Sequence, residues 1–179
     1  RKFHLEKPRK NYASVCATDL SNAFGSSEVD LILEVMKKFF APKALHFLRS
    51  FLAQSEVYME SNGMIAKPFK TSPRGYPQGS SLSPLLFLIL MSRSHDNIFG
   101  NNFYSFADDN NVAVSESTKI AHDQKSQKAL DEFVKFCTDY SLKINPKKTF
   151  FTVINRFKSK PKPTLNLQIG SENLKEMNQ

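Results

Sequence analysis

The sequence predicts a mixed α/β fold of the α+β kind, an antiparallel sheet with helices packed on one face, on three observations. First, Phe103-Tyr104-Ser105-Phe106-Ala107-Asp108-Asp109-Asn110-Asn111-Val112-Ala113-Val114 joins two runs of strand-forming residues at a pair of adjacent acids. This is the pattern of a β-hairpin with carboxylates at its tip. Second, Ala13 to Thr18 and Phe150 to Ile154 are further short strand-like runs. Third, Ile32, Val35, Met36, Phe39 and Phe40, and later Leu130, Phe133, Val134 and Cys137, recur at helical spacing.

Composition bounds what such a fold can do. With 179 residues, 40% apolar content and 16 Phe, the chain can bury a sizeable core. Its 25 Lys and Arg against 17 Asp and Glu give a formal charge of +8, which favours polyanionic partners such as nucleic acid. Cys16 and Cys137 lie far apart without neighbouring Cys or paired His, so neither a zinc site nor a disulfide framework is indicated, and both read as reduced core residues. The longest apolar run, Leu85 to Met91, falls far short of the ~20 residues that span a bilayer. No membrane partner is expected, and an intracellular location, nuclear or cytoplasmic in a eukaryote, is the default. The start at Arg1 and the stop just after a strand-like run suggest a piece of something longer.

In chain order, Arg1 to Lys10 is a basic lead-in, either a phosphate-contacting arm or a solvated tail. The strand Ala13 to Thr18 ends at Asp19, which a polar turn and Phe24 follow; the acid suits a chemical site or an ordinary turn. Ser27-Glu28-Val29-Asp30 has the form of a capping box opening a first helix that ends near Ala41-Pro42, and Leu45, Leu48 and Leu52 continue as a second. The aromatic residues of both helices read as core. Ser55 to Met59 alternates, and Ser61-Asn62-Gly63 signals a hairpin turn with a return towards Phe69. Pro73 to Pro84 is a loop with two glycines, after which Ser83 as N-cap and Pro84 as N1 open a buried helix over Leu85 to Met91. An amphipathic helix spans Ala121 to Tyr140, a short strand and basic turn cover Leu142 to Thr149, and a basic, Pro-interrupted connector precedes a last strand through Leu165, Leu167 and Ile169.

Four pieces, in order, carry a resemblance: Asp19-Leu20-Ser21-Asn22-Ala23-Phe24; Arg74-Gly75-Tyr76-Pro77-Gln78-Gly79-Ser80-Ser81-Leu82-Ser83-Pro84-Leu85-Leu86-Phe87; Phe106-Ala107-Asp108-Asp109; and Leu142-Lys143-Ile144-Asn145-Pro146-Lys147-Lys148-Thr149. Together they resemble the palm of reverse transcriptases, most like those of non-LTR (LINE-type) retrotransposons, with group II intron and retron enzymes as further relatives. The resemblance implies a ferredoxin-like polymerase palm over residues 13–155. Residues 1–12 would then be a basic lead-in at the boundary of truncated fingers, and 156–179 a connector and closing strand. It implies RNA-directed DNA polymerisation in which Asp19, Asp108 and Asp109 converge on two Mg²⁺ ions, which Mn²⁺ can replace, with Asp19 and Asp108 as the direct ligands, Asp109 as a weaker or occasional one and the Leu20 carbonyl as a further ligand. RNA template, DNA primer and dNTP are the implied partners. Phe24 takes the place of the aromatic beneath the sugar that selects deoxynucleotides, Arg74, Gln78 and Gly79 belong to the nucleotide and template loop, and Lys148 is the implied general acid.

Two departures stand out: Gly25 replaces the aspartate usual after the aromatic, and Phe106 the commoner tyrosine. With fingers and thumb missing, the chain alone is expected to polymerise poorly. The alternatives are a non-catalytic or domesticated palm that binds nucleic acid, and an RNA-dependent RNA polymerase, which Phe24 fits badly.

Overall fold

The computed structural model describes residues 12–53, 56–70, 74–97, 103–154 and 163–177. In chain order the elements are β1 (Tyr12–Thr18), β2 (Leu20–Ser21), α1 (Ala23–Ser26), α2 (Val29–Met36), α3 (Pro42–Ala53), β3 (Glu56–Val57), β4 (Glu60–Ser61), β5 (Met64–Ile65), β6 (Phe69–Lys70), α4 (Leu82–Asn97), β7 (Phe103–Phe106), β8 (Asp109–Glu116), α5 (Lys119–Asp139), β9 (Lys143–Ile144), β10 (Phe150–Ile154), β11 (Gln168–Ile169), β12 (Glu172–Asn173) and β13 (Lys175–Glu176). They form two compact units. One comprises Arg1–Leu20, Asn97–Lys135 and Ile144–Gln179, the other Ser21–Asp96 and Phe136–Lys143.

The first unit is built on a five-stranded sheet in the order β13-β10-β1-β8-β7, antiparallel except for the parallel pair β10 and β13. Alternation along each strand gives the sheet two different faces. Ser14, Cys16 and Thr18 of β1 lie in register with Val114, Val112 and Asn110 of β8, and Ser14 and Cys16 with Val153 and Phe151 of β10; all are buried. Helix α5 covers this face. The Phe133 ring sits 5.4 Å from that of Phe103, and Ser126 Oγ lies 3.3 Å from Ser14 Oγ. Buried His122 completes a polar seam, with Nε2 3.0 Å from Ser14 Oγ and Nδ1 3.3 Å from Asp123, whose carboxylate also pairs with Lys119. The opposite face is more open, carrying Ala17, Asn111 and Phe150 in register and the exposed Tyr104 and Phe106 of the edge strand β7.

The second unit is mainly helical. Ile32, Val35 and Met36 of α2, Leu48 and Leu52 of α3 and Leu86, Phe87, Leu90 and Met91 of α4 are buried. Phe24 packs on Phe87 with ring centres 4.8 Å apart, and Tyr76 meets both rings edge-on. The ribbon pairs β3 with β6 and β4 with β5, and Asn62 and Gly63 turn it with positive φ, the conformation that Asn-Gly hairpin turns require.

Several expectations need correction. Ser27 does not cap α2: its hydroxyl donates to the Tyr140 carbonyl at 2.9 Å, Glu28 occupies the cap position without a side-chain bond, and the helix stops at Met36. Helix α4 begins at Leu82, placing Ser83 and Pro84 inside its first turn. Ser83 Oγ donates to the Pro77 carbonyl, while Ser80 Oγ accepts from the Leu82 N–H. Leu85 and Leu88 are exposed, as are Phe39 and Phe47, so these residues are not core. Leu165 and Leu167 are buried but precede the strand, which is confined to Gln168–Ile169. The basic lead-in, Ser55, Pro73 and all but the last residue of the basic connector 156–163 lie outside the described residues.

Candidate active site

Strand β1 delivers Asp19, and the hairpin of β7 and β8 delivers Asp108 and Asp109. Asp19 follows the last residue of β1, where the sheet ends and its half-buried side chain reaches an open hollow of about 270 Å³. Asp109, Asn110, Asn111, Lys148 and Phe150 line the same hollow. The backbone of Asp19 is fixed from both sides: its N–H donates to Thr149 Oγ1 at 3.4 Å, and its carbonyl accepts from the Asn145 N–H at 2.9 Å. Thr149 Oγ1 in turn donates to the Asn145 carbonyl at 2.9 Å. The segment Asn145 to Thr149 thus holds the acid in place and brings Lys148 Nζ to 4.0 Å from Asp19 Oδ2. In the sequence, Asn145 and Thr149 stand out only as members of the string Leu142 to Thr149, because a role exercised through backbone contacts leaves no chemical signature.

The hairpin turn is Ala107-Asp108, between the paired Phe106 and Asp109. Asp108 is exposed on it. Asp109 opens β8 and shares the open face with Asn111, whereas Asn110 is fully buried. Thr18 Oγ1 donates to the Asn110 carbonyl at 3.2 Å, and Asn110 Nδ2 donates to the Asp108 carbonyl at 2.9 Å.

The hollow therefore joins Asp19, Asp109 and Lys148, and Asp108 is not among its lining residues. Among the described residues no three His, Cys, Asp or Glu side chains gather into a group that could hold a metal, so the convergence of three carboxylates is not formed. Bringing three like charges together is unfavourable, and one lysine beside Asp19 offsets only part of that cost. Two carboxylates facing one open hollow nevertheless supply the hard oxygen donors that Mg²⁺ or Mn²⁺ takes. Leu20 directly follows Asp19, with its side chain buried outside the lining of the hollow.

The remaining candidates belong to the second unit. Phe24 is half-buried and immobilised by Phe87 and Tyr76. Burial raises the Tyr76 phenol above its ordinary pKa, and among the described residues its hydroxyl has no hydrogen-bond partner. The loop reaches α1 through Gly75, whose N–H donates to the Ser27 carbonyl at 2.6 Å, and through the Tyr76 N–H, which donates to the Phe24 carbonyl at 2.6 Å. Gly75 has φ +75°, and a Cβ there would lie 2.5 Å from the Gly25 Cα and against the Phe24 carbonyl. A side chain at Gly25 would itself fall 2.5 Å from Asn22 Nδ2, so an aspartate there requires Asn22 to move. Arg74 spends its guanidinium on an exposed ion pair with Glu28 at 3.1 Å, and Gln78 and Gly79 are exposed.

Among curated proteins, none matches the sequence. Solved structures do match in fold. Apo telomerase from Candida tropicalis, truncated from its C-terminal domain, superposes with a TM-score of 0.60 at 14% identity over 86% of this chain and 32% of that one. Telomerase from Candida albicans, in complex with a fragment of telomeric RNA, gives 0.49 at 14% identity over 94% and 29%. The chain thus spans about a third of the length of these structures, and at 14% identity the likeness to the first is one of fold. The family described as reverse transcriptase (RNA-dependent DNA polymerase) matches residues 2–173. With nearly its whole length in that match and its acids on the central strand and hairpin of an antiparallel sheet, the chain belongs to the reverse transcriptase family.

Proposed function

We propose that this chain is the palm of an RNA-directed DNA polymerase of a retroelement, adding deoxynucleotides to a primer 3′-hydroxyl annealed to an RNA template. The observation that carries the reading is the hollow shared by Asp19, Asp109 and Lys148 in a chain of the reverse transcriptase family. Asp19, Asp108 and Asp109 would hold two Mg²⁺ ions, with the Leu20 carbonyl as a further ligand. When bound, these ions supply activation of the attacking hydroxyl and neutralisation of the triphosphate. The chain's own residues do the rest. Lys148, one ammonium from the acids, would protonate the departing pyrophosphate. Phe24, held by two rings, has the rigidity that sugar discrimination by steric exclusion requires. Arg74, Gln78 and Gly79 would line nucleotide and template, Arg74 after leaving Glu28.

The test is Mg²⁺-dependent primer extension on an RNA template by the full-length protein, with Asp108→Asn as control. Extension with dNTPs but not rNTPs, lost in the control, is the expected result. The Lys148–Asp19 ion pair, together with the ungathered acids, favours one competing reading: a palm that binds nucleic acid without chemistry. Template–primer binding by a folded protein that extends nothing would establish it.

A further inference from the structure

The hairpin that carries two of the acids is strained where it turns. Ala107, the first central residue of its two-residue turn, has φ 54°, whereas the second, Asp108, is not in the positive-φ region. That combination belongs to a turn whose first central position ordinarily takes glycine, and a Cβ there is unfavourable unless surrounding contacts over-determine the conformation. The contact that meets this requirement comes from Asn110. Its Nδ2 donates to the Asp108 carbonyl at 2.9 Å, closing the turn from below. Its backbone carbonyl accepts from Thr18 Oγ1, directly across the register pair Thr18 and Asn110. One residue thus ties the turn bearing Asp108 and Asp109 to the residue that precedes Asp19.

The side chain's other end shows what the position gains. Asn110 is fully buried, yet among the described residues its Oδ1 has no hydrogen-bond partner. The donor bond to a carbonyl fixes which end of the amide is which. Asn110 also borders the hollow beside Asp19 and Asp109, and a buried acceptor left without a partner is costly. Asparagine at this place therefore trades fold stability for the one bond that it makes to the turn.

We propose that Asn110 is a positioning residue that braces the strained Ala107-Asp108 turn and so sets Asp108 and Asp109 for cation binding. This rests on the polymerase reading for its functional consequence but not for its structural content. The experiment compares Asn110→Leu, Ala107→Gly and the double variant. Hydrogen exchange of the Ala107 to Asn110 amides and thermal unfolding are measured on this chain, and the Mg²⁺ dependence of extension is measured on the full-length protein.

Asn110→Leu should unfold at the same or a higher temperature than the parent, while its turn amides exchange faster. Half-saturating Mg²⁺ should rise about tenfold, the scale on which residues orienting metal ligands act. In the Ala107→Gly background, where the turn is relaxed, both effects of Asn110→Leu should shrink several-fold. Unchanged turn exchange, or effects of equal size in the two backgrounds, would overturn the brace; so would a loss of thermal stability with Mg²⁺ dependence unaltered, which marks plain core packing. If the parent extends no primer, the polymerase reading fails, and the exchange and unfolding arms still decide whether Asn110 braces the turn.

Discussion

Asp19 and Lys148 stand 4.0 Å apart and answer different questions when replaced. Asp19→Asn keeps the shape and removes the charge, so extension by the full-length protein should fall by roughly two to three orders of magnitude through loss of cation binding. Lys148→Ala should cost about a hundredfold in kcat with little change in Mg²⁺ dependence, and Lys148→Arg, which holds its proton too tightly to give it up, should not restore the rate. Two glycines of the loop make a second contrast. Gly75→Ala meets both a positive φ and backbone atoms of Phe24 and Gly25, and should destabilise the chain by about 2 kcal/mol or more. Gly79→Ala meets the positive φ alone, with nothing within 4 Å of its Cβ, and should cost about 1 kcal/mol. Denaturant midpoints at constant slope measure both.

The elements differ in how far their residues announced them. The acidic hairpin and β1 were legible because alternation survives wherever one face is covered and the other is open: Val112 and Val114 go under α5, and Asn111 and Ala113 do not. The capping box over Ser27 misled because a hydroxyl near a helix start can serve any carbonyl within reach, and here that carbonyl is Tyr140, more than a hundred residues away in sequence. Short α1 carried no signal, since four residues offer no period. In α4 the apolar run reads as buried all round, yet Leu85 and Leu88 are exposed, because hydrophobicity says nothing about which neighbours are present. The resemblance of the motifs singled out Asp19, Asp108, Asp109 and Lys148 and ranked Asp108 above Asp109, whereas the hollow is lined by Asp109; the backbone clasp by Asn145 and Thr149 had no such signal, since it exists only in three dimensions. Burial in β1 and α5 also has a titration consequence. Cys16 and Cys137 are pushed up from 9.0 to about 12 by desolvation. The folded chain keeps both protons above pH 9 while the unfolded chain loses them, so stability is full below pH 9 and declines as pH rises from 9 towards 12. Replacing both cysteines with alanine should flatten that limb of the stability curve, and thiol reagents at pH 8 should react with native protein only as fast as it opens.

At the scale of the whole molecule, a formal charge of +8 predicts that binding to an RNA–DNA duplex weakens steeply with salt, linearly in a log–log plot. Titrations at several salt concentrations measure the slope, and a flat line would remove nucleic acid as the partner of this surface. The order of strands has a different outcome. β1 sits in the middle of its sheet, and its nearest partner in sequence, β8, follows about a hundred residues later; β10, on its other side, comes later still. On a ribosome adding about 5–20 residues per second, the strand that ends in Asp19 waits several seconds with both hydrogen-bonding edges bare. The intervening helices can form in that time from local contacts, but the sheet cannot, so refolding should be slow for a chain of this size. A newborn chain is thus most vulnerable to aggregation at the strand that its site depends on.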